Sequence, residues 1–393
     1  MPWSIHLVFC CNCKACIFFY FSTGMENELT CRRTTSDHCH QKLNHGKGRN
    51  VQFDDLPEVC ENFLARFIRS MELNLQAWGC DISILQDVIC LIFSKLQLKD
   101  LVSTSVLSSK WKHMWTICPT LRFDSSTLCG SNMCSAEQFT QKFIDNVNAV
   151  LQQHRGKLVE ALEIKIDFNS RLANHLNNWV SFAVSSKTKS LAFYLPQNYT
   201  SNEFRDRHDR YMFPFELLDG KAASCLQQIQ LSFVSLKPPT QFSGFPKLKK
   251  LSLHLVQVIA KDLQGLLSSC SNLEWLSIVR CNLNDDELKV DCALSRLLYL
   301  RIANCEISKI EMYALKLKTF IYEGAQLPVD PIQAQELEVA DIVFKGDITF
   351  QYALTVLPVV FPSVQNLTVH ANFGLQVGLR KLRKSIMMTI SYL

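Results

Sequence analysis

The chain has 393 residues and a formal net charge of +5 at pH 7, from 41 basic and 36 acidic residues. At roughly 150 residues per domain, this length holds two or three domains, or one small domain followed by a repeat array. The hydrophobic fraction of 48% and the charged fraction of 20% exclude a disordered or fibrous chain. The small excess of positive charge forms no concentrated basic face of the kind that nucleic-acid binders carry, so we expect no nucleic-acid partner.

Cysteine is abundant, with 17 residues, but the number is odd and the spacing is scattered. Several of these residues stand in apolar runs, as Cys90 and Cys270 do, where a thiol serves as a small buried hydrophobe. A disulfide framework is typical of short secreted domains, which this chain is not. We therefore expect reduced thiols and a location in the nucleus or the cytoplasm.

The first 24 residues are apolar and rich in cysteine, and they admit more than one interpretation. They do not fit a secretory signal, because no early Lys or Arg is present and Lys14 splits the apolar run. The same interruptions argue against a transmembrane helix, so we expect no membrane partner. In one interpretation translation starts at Met25, and residues 1–50 are a disordered or mis-annotated segment. A zinc site is the weaker alternative, since no second Cys pair follows at the required spacing. Its candidate ligands are Cys10, Cys11, Cys13 and Cys16, with His38, Cys39, His40 and His45 downstream.

Three short helices are predicted within residues 80–124, after a helical linker or insertion at 51–79. The first has apolar residues at helical spacing from Val88 to Leu96. The second spans residues 99–107, and the third places Trp111 and Trp115 four residues apart on one face. Three helices in about 40 residues make a small core, and such a module usually buries its apolar face against a partner.

This segment resembles the F-box of plant F-box proteins with leucine-rich repeats. It retains Asp87-Val88, the run Leu98-Lys99-Asp100 and the run from Thr104 to Ser108, followed by the two tryptophans. It departs from the family pattern at Ile84-Leu85, at Gln97 and at Ser103. The resemblance implies that the F-box binds a Skp-type adaptor and, through it, a cullin. The residues that it implies for adaptor binding are Ile84, Leu85, Val88, Ile89, Ile92, Leu96, Leu98, Leu101, Val106, Leu107, Trp111 and Trp115.

A leucine-rich repeat array is predicted over residues 158–370, after a helical connector at 125–157. The pattern Leu-x-x-Leu-x-Leu is clearest from Leu248, Leu273 and Leu297, whose starts lie 25 and 24 residues apart. Each repeat supplies one strand and a return segment, such as the helix predicted within residues 261–272, and stacking leaves a concave sheet. The sequence of residues 266–281 also resembles the repeats of the same plant family. Weaker copies start at Val159, Leu226, Leu317 and Val364.

The residues just before and after the second Leu of each repeat point away from the buried ladder. Trp275, Tyr299 and Arg301 stand at such positions and are residue types that dominate interface hot spots. We expect the target protein to bind this face, and the predicted substrate-binding residues are Gln228, Lys250, Trp275, Tyr299 and Arg301. Gln230, Ser252 and Ser277 are expected to be exposed beside them.

None of the sequence motifs of common hydrolases, nucleotide-binding proteins or metalloproteases is present. The acidic run at residues 285–287 is interpreted as the start of a helix rather than as a metal site. Residues 371–393 form a divergent or truncated tail, whose basic cluster from Arg380 to Lys384 is interpreted as a solvated helix face. We expect no metal and no cofactor.

The fold class is therefore α/β, with a small helical F-box module followed by a leucine-rich-repeat solenoid. The resemblance implies a non-catalytic substrate receptor in a ubiquitin ligase of the Skp-cullin-F-box type, with an unknown protein as substrate. Two alternatives stay open at this stage. One is an interaction scaffold whose F-box no longer functions, and the other is a receptor for a small molecule.

Overall fold

The computed structural model describes residues 116–128, 135–156, 158–196, 210–218, 225–284, 287–290, 294–307, 309–325, 327, 334–348, 355–362, 364–377 and 380–391, and the backbone of two strands at 4–9 and 17–22. The chain divides into two compact units, Met1–Cys80 and Asp81–Leu393.

The first unit contains an antiparallel pair of strands, β1 (Ser4–Phe9) and β2 (Ile17–Ser22). No strand is expected in this segment from the sequence. Both strands are rich in β-branched and aromatic residues, which favour extended backbone.

The second unit is organised around an eleven-stranded sheet, in which all neighbouring strands are parallel except the last pair. Parallel neighbours require crossover connections, which the return segments of the repeats supply. The strands of the whole unit, in chain order, are β3 (Thr120–Asp124), β4 (Ala161–Lys165), β5 (Ser190–Tyr194), β6 (Tyr211–Met212), β7 (Gln228–Ser232), β8 (Val234–Leu236), β9 (Lys250–His254), β10 (Gln257–Val258), β11 (Trp275–Val279), β12 (Glu287–Val290), β13 (Tyr299–Ala303), β14 (Lys309–Met312), β15 (Thr319–Gly324), β16 (Val339–Ile348), β17 (Asn366–Val377) and β18 (Arg380–Ser391).

The order of strands in this sheet is β3-β4-β5-β7-β9-β11-β13-β15-β16-β17-β18. The shorter strands form a three-stranded parallel sheet of β6, β8 and β10 and a parallel pair of β12 and β14. Apart from these interposed short strands, each repeat lies beside the next one in the chain, as expected for a solenoid.

The repeat pattern explains which side of the sheet is buried. In the repeat that starts at Leu273, the three pattern residues Leu273, Leu276 and Ile278 are 1%, 0% and 0% exposed. Because side chains alternate along a strand, the first, third and fifth residues of each parallel strand in the eleven-stranded sheet point to the opposite side. We call that side the open face.

The solenoid sheet begins earlier than the sequence analysis expects. β3 lies within the predicted F-box segment and pairs in parallel with β4. It is preceded by Cys118, so that Cys118, Leu121 and Phe123 occupy the buried pattern positions. Cysteine replaces the first leucine of the pattern, which is why a leucine-based search misses this repeat.

Within the part of the chain that the structure describes, the return segments contain five α-helices, which are α1 (Ser125–Leu128), α2 (Ala136–Gln153), α3 (Ala173–Ser185), α4 (Ala260–Ser268) and α5 (Leu357–Val360). The helix α2 begins at a capping box formed by Ser135 and Gln138 and packs through Phe143 edge-to-face against Trp179 of α3. The predicted return helix after residue 260 is confirmed as α4.

Two helix predictions were wrong. The acidic run leads into strand β12, which starts at Glu287, because Leu288 and Val290 alternate as buried residues with period two. The basic cluster from Arg380 to Lys384 lies in β18, which pairs antiparallel with β17 along its whole length. Pairing with the edge of β17 therefore gives this segment an extended conformation and not the expected helix.

Candidate functional site

The open face carries the side chains that the sequence analysis assigned to substrate binding. The register places Lys250, Trp275 and Tyr299 side by side as the first residues of β9, β11 and β13. Gln228 is the register partner of Lys250 on β7. The five predicted residues therefore lie on four adjacent strands, and none of the five is buried.

An aromatic and cationic ladder runs across three of these strands. The rings of Trp275 and Tyr299 are parallel to within 6°, with centroids 4.8 Å apart, which is the spacing of adjacent strands. The Lys250 Nζ atom lies 4.3 Å from the centroid of the Trp275 ring and forms a cation–π contact. Because Lys250 and Tyr299 come from opposite sides, both faces of the indole are covered and its edge remains for a ligand.

Two arginines stand beyond this ladder toward the carboxyl ends of the strands. Arg301 is the third residue of β13 and is half-buried, and its Nε atom is buried without a hydrogen-bond partner among the described residues. Arg280 follows β11 directly and is exposed, with a backbone φ of 52°. Its backbone N–H donates to the Ala303 carbonyl, which anchors this left-handed position to the next repeat.

His254 shows that both guanidinium groups act on the same end of the strands. Burial lowers the pKa of this imidazole, and the positive charges of Arg280 and Arg301 lower it further. The Nδ1 atom of His254 lies 3.2 Å from the Ser232 hydroxyl, within hydrogen-bond distance. This end of β9, β11 and β13 is therefore a region of positive potential with a neutral imidazole inside it.

Other cations of the sheet pair with acids of an adjacent repeat. Lys318 Nζ lies 2.7 Å from the Glu338 carboxylate, and Lys189 Nζ lies 2.9 Å from Glu160. Further pairs of this kind join Lys165 to Asp124, Arg122 to Glu163, Lys249 to Glu274 and Lys345 to Glu323. In the described part of the chain, Lys250, Arg280 and Arg301 take part in no ion pair.

An acidic border follows on the strands after β13. The pKa of Glu323 is lowered, chiefly by a hydrogen bond from Asn304 and then by Lys345 and Arg301. On β16, Asp341 lies 3.8 Å from the Nε2 atom of His370. The positive region is therefore bounded on this side by carboxylates.

Sequence reasoning missed two residues of this site and misjudged a third. His254 is the fifth residue of its strand, so the alternation of side chains places it on the open face, and Arg280 follows the fifth residue of β11. Ser277 was expected to be exposed but is only 3% exposed, because its small side chain lies in register between Ser252 and Arg301.

The predicted adaptor-binding residues, from Ile84 to Trp115, all lie outside the described residues. Within the described ranges, no group of three or more His, Cys, Asp or Glu side chains is arranged to hold a metal ion. None of the helices described there combines the length and the apolar character needed to cross a bilayer.

Comparison with known families gives two matches. The model described as "At1g61320/AtMIF1, LRR domain" matches residues 150–374, and the F-box domain model matches residues 84–123. The first match covers more than half of the chain.

Similar curated proteins come from Arabidopsis thaliana. The F-box/FBD/LRR-repeat protein At1g13570 is 30% identical over 216 residues, which make up 55% of this chain and 46% of that protein. The putative FBD-associated F-box protein At5g56690 is 28% identical over 200 residues, 49% of this chain and 45% of the relative. The F-box/LRR-repeat protein At3g03360 is 25% identical over 321 residues, 76% of this chain and 60% of the relative. The chain spans about half the length of the curated relatives that it matches.

Proposed function

Because the chain belongs to the family of F-box proteins with leucine-rich repeats, we propose that it is the substrate-recognition subunit of a Skp-cullin-F-box ubiquitin ligase. The F-box binds the Skp-type adaptor, and the open face of the sheet binds the protein to be ubiquitinated. The observation that carries the proposal is the combination, in one chain, of an F-box match with a repeat sheet whose open side carries stacked aromatic rings and two arginines that form no ion pair among the described residues. Trp, Tyr and Arg are the residue types that dominate protein interfaces.

In this proposal the chain does no chemistry of its own. It holds the target close to the catalytic subunits of the ligase, and the rate of ubiquitin transfer rises because the reaction becomes effectively intramolecular. The proposal also places the protein in the nucleus or the cytoplasm. The free thiols of the described cysteines, Cys118, Cys225, Cys270, Cys281 and Cys305, are compatible with such a reducing compartment.

The adaptor interaction is tested at Leu98, which follows the position where the family has a proline. Burying a leucine contributes roughly 1.5–3 kcal/mol, and a carboxylate in its place would lose that term and be left unpaired in an apolar contact. We therefore expect Leu98→Asp to weaken binding of the full chain to a Skp-type adaptor by more than about tenfold, which corresponds to about 1.4 kcal/mol. Leu98→Met is the matched control and should bind within about threefold of the parent, since volume-conserving apolar exchanges cost little.

The measurement is co-elution and titration of purified chain with purified adaptor. Equal binding by the Leu98→Asp chain and the parent contradicts the proposed role of the F-box. If the parent itself does not bind, a second function takes over, in which the chain is an interaction scaffold whose F-box is inactive. The departures at Ile84-Leu85, Gln97 and Ser103 are the observations that favour this second function.

A further inference from the structure

The cations of the sheet fall into two groups that differ in their partners. Six basic side chains, on or just before strands of the sheet, form ion pairs with acids of adjacent repeats, and one of them, Lys249, directly precedes the central strand β9. Lys250, Arg280 and Arg301, on or directly after the three central strands β9, β11 and β13, form none among the described residues. We call these three residues the cationic patch.

Pairing of the patch within the chain is limited by the neighbouring residues. The register partners of Arg301 are Ser277 and Ile321, which carry no charge. Glu274 is engaged with Lys249 at 3.2 Å, and Glu323 with Lys345 at 3.5 Å. Among the described residues, nothing pairs with the charges of the cationic patch, and an external anion can bind them.

The patch also has a defined extent and an apolar side. Its three strands are about 4.8 Å apart, and Lys250 and His254 stand at opposite ends of β9, so the surface measures roughly 10 Å by 13 Å. The edges of the Trp275 and Tyr299 rings lie along its first row. An extended segment of about eight residues is long enough to cross this surface.

Taking the proposed function as its basis, we propose that the cationic patch recognises an acidic, extended segment of the target protein, whose Asp and Glu carboxylates bind Arg280, Arg301 and Lys250. A guanidinium group offers a planar fork of donors that matches a carboxylate with two parallel hydrogen bonds. The buried, unpartnered Nε atom of Arg301 makes this match favourable, because an anion close to the guanidinium offsets the cost of its partial desolvation. The carboxylates on β15 and β16 repel such a segment and confine it to the central strands.

The test uses the purified full chain and two fluorescent peptides, one of about eight glutamates and one of about eight glutamines. Fluorescence polarisation gives the Kd of each. We expect the glutamate peptide to bind and the glutamine peptide to bind at least about tenfold more weakly, since only charge-assisted hydrogen bonds distinguish them. Equal binding of the two peptides overturns the proposal.

The variant Arg280→Gln/Arg301→Gln assigns the site. It should raise the Kd for the glutamate peptide by at least about tenfold. The matched control Lys189→Gln/Lys318→Gln changes the net charge by the same amount on the same sheet, but it removes lysines that are already paired. The control should stay within about twofold of the parent. Unchanged binding in the arginine variant, or an equal loss in the control, overturns the assignment.

Two further measurements separate the possible failures. Arg280→Gln alone alters an exposed side chain and leaves the core of the sheet intact. This single variant should therefore raise the Kd for the glutamate peptide even if the double variant unfolds. An unchanged Kd in the folded single variant contradicts the proposal. Adaptor binding is measured on the same preparations. A chain that binds the adaptor but not the glutamate peptide refutes this inference alone, whereas a chain that binds the peptide but not the adaptor refutes the proposed ligase role alone.

Discussion

The burial of the core side of β13 is tested most directly by two leucines of one repeat, one within the strand and one just before it. Leu300 is 0% exposed in the middle of the core, with Leu276 and Phe320 as register partners on either side. Leu298 stands just before the same strand and is 40% exposed. The same change, Leu→Ala, can therefore be compared at a buried position of the strand and at an exposed position just before it.

The expected difference follows from the burial. Leu300→Ala removes about three methylene equivalents, worth about 0.8 kcal/mol each, and leaves a cavity among rigid neighbours, so we expect a loss of about 3–5 kcal/mol in the free energy of unfolding. Leu298→Ala should cost less than about 1 kcal/mol, because its side chain is already partly in water. Urea unfolding of the two variants and the parent, followed by circular dichroism, measures both values. Equal losses, or a loss below about 1 kcal/mol for Leu300→Ala, would refute the orientation of β13 and with it the placement of Arg301 on the open face.

Other regions of the chain give three shorter predictions. The double variant Trp275→Ala/Arg301→Ala should no longer retain the proteins that accumulate with the parent under proteasome inhibition, while adaptor binding stays unchanged; affinity purification with mass spectrometry measures both. Gly244→Ala should lower the free energy of unfolding by about 1–3 kcal/mol, because Gly244 has a φ of +81° and an added methyl group would overlap Ser269; chemical unfolding detects this loss, and an unchanged midpoint would contradict it. Burial lowers the pKa of His154 below 6.5, so the unfolded chain binds a proton first and stability should fall as the pH drops below about 6.5. His154→Gln should make the unfolding midpoint less dependent on pH between about 7.5 and about 5.5, and an identical slope in parent and variant would count against this origin.

The resemblance to plant F-box proteins with leucine-rich repeats is confirmed by matches to both domains. The repeats that could be predicted are those in which large aliphatic or aromatic residues fill all three buried positions. Cys118, Thr188 and Ala340 occupy pattern positions in three further repeats, and none of the three is more than 2% exposed. A solenoid core accepts such small side chains when neighbouring strands fill the space, and a search for leucine alone cannot anticipate that.

The direction of each open-face side chain could also be predicted, because it depends only on the period of two residues in a strand. The pairing of charges could not. Lys249 and Lys250 are adjacent in the sequence, yet one forms an ion pair with Glu274 and the other lies over the ring of Trp275. Which of these contacts forms depends on side-chain conformations and on the register of neighbouring strands, neither of which the spacing of leucines determines.

One consequence is that substitutions at two neighbouring residues of a single strand should affect stability and binding separately. Leu300 and Arg301 are adjacent in β13, but the first faces the core and the second the open face. Substitution of Leu300 should therefore lower stability at any ligand concentration. Arg301→Gln should instead weaken anion binding and change the free energy of unfolding by less than about 0.5 kcal/mol. The same offset of one residue applies to every repeat whose strand alternates in this way, because the buried positions hold the fold and the open positions contribute little to it. A target-binding surface can thus be built on these strands without altering the leucine pattern that positions it.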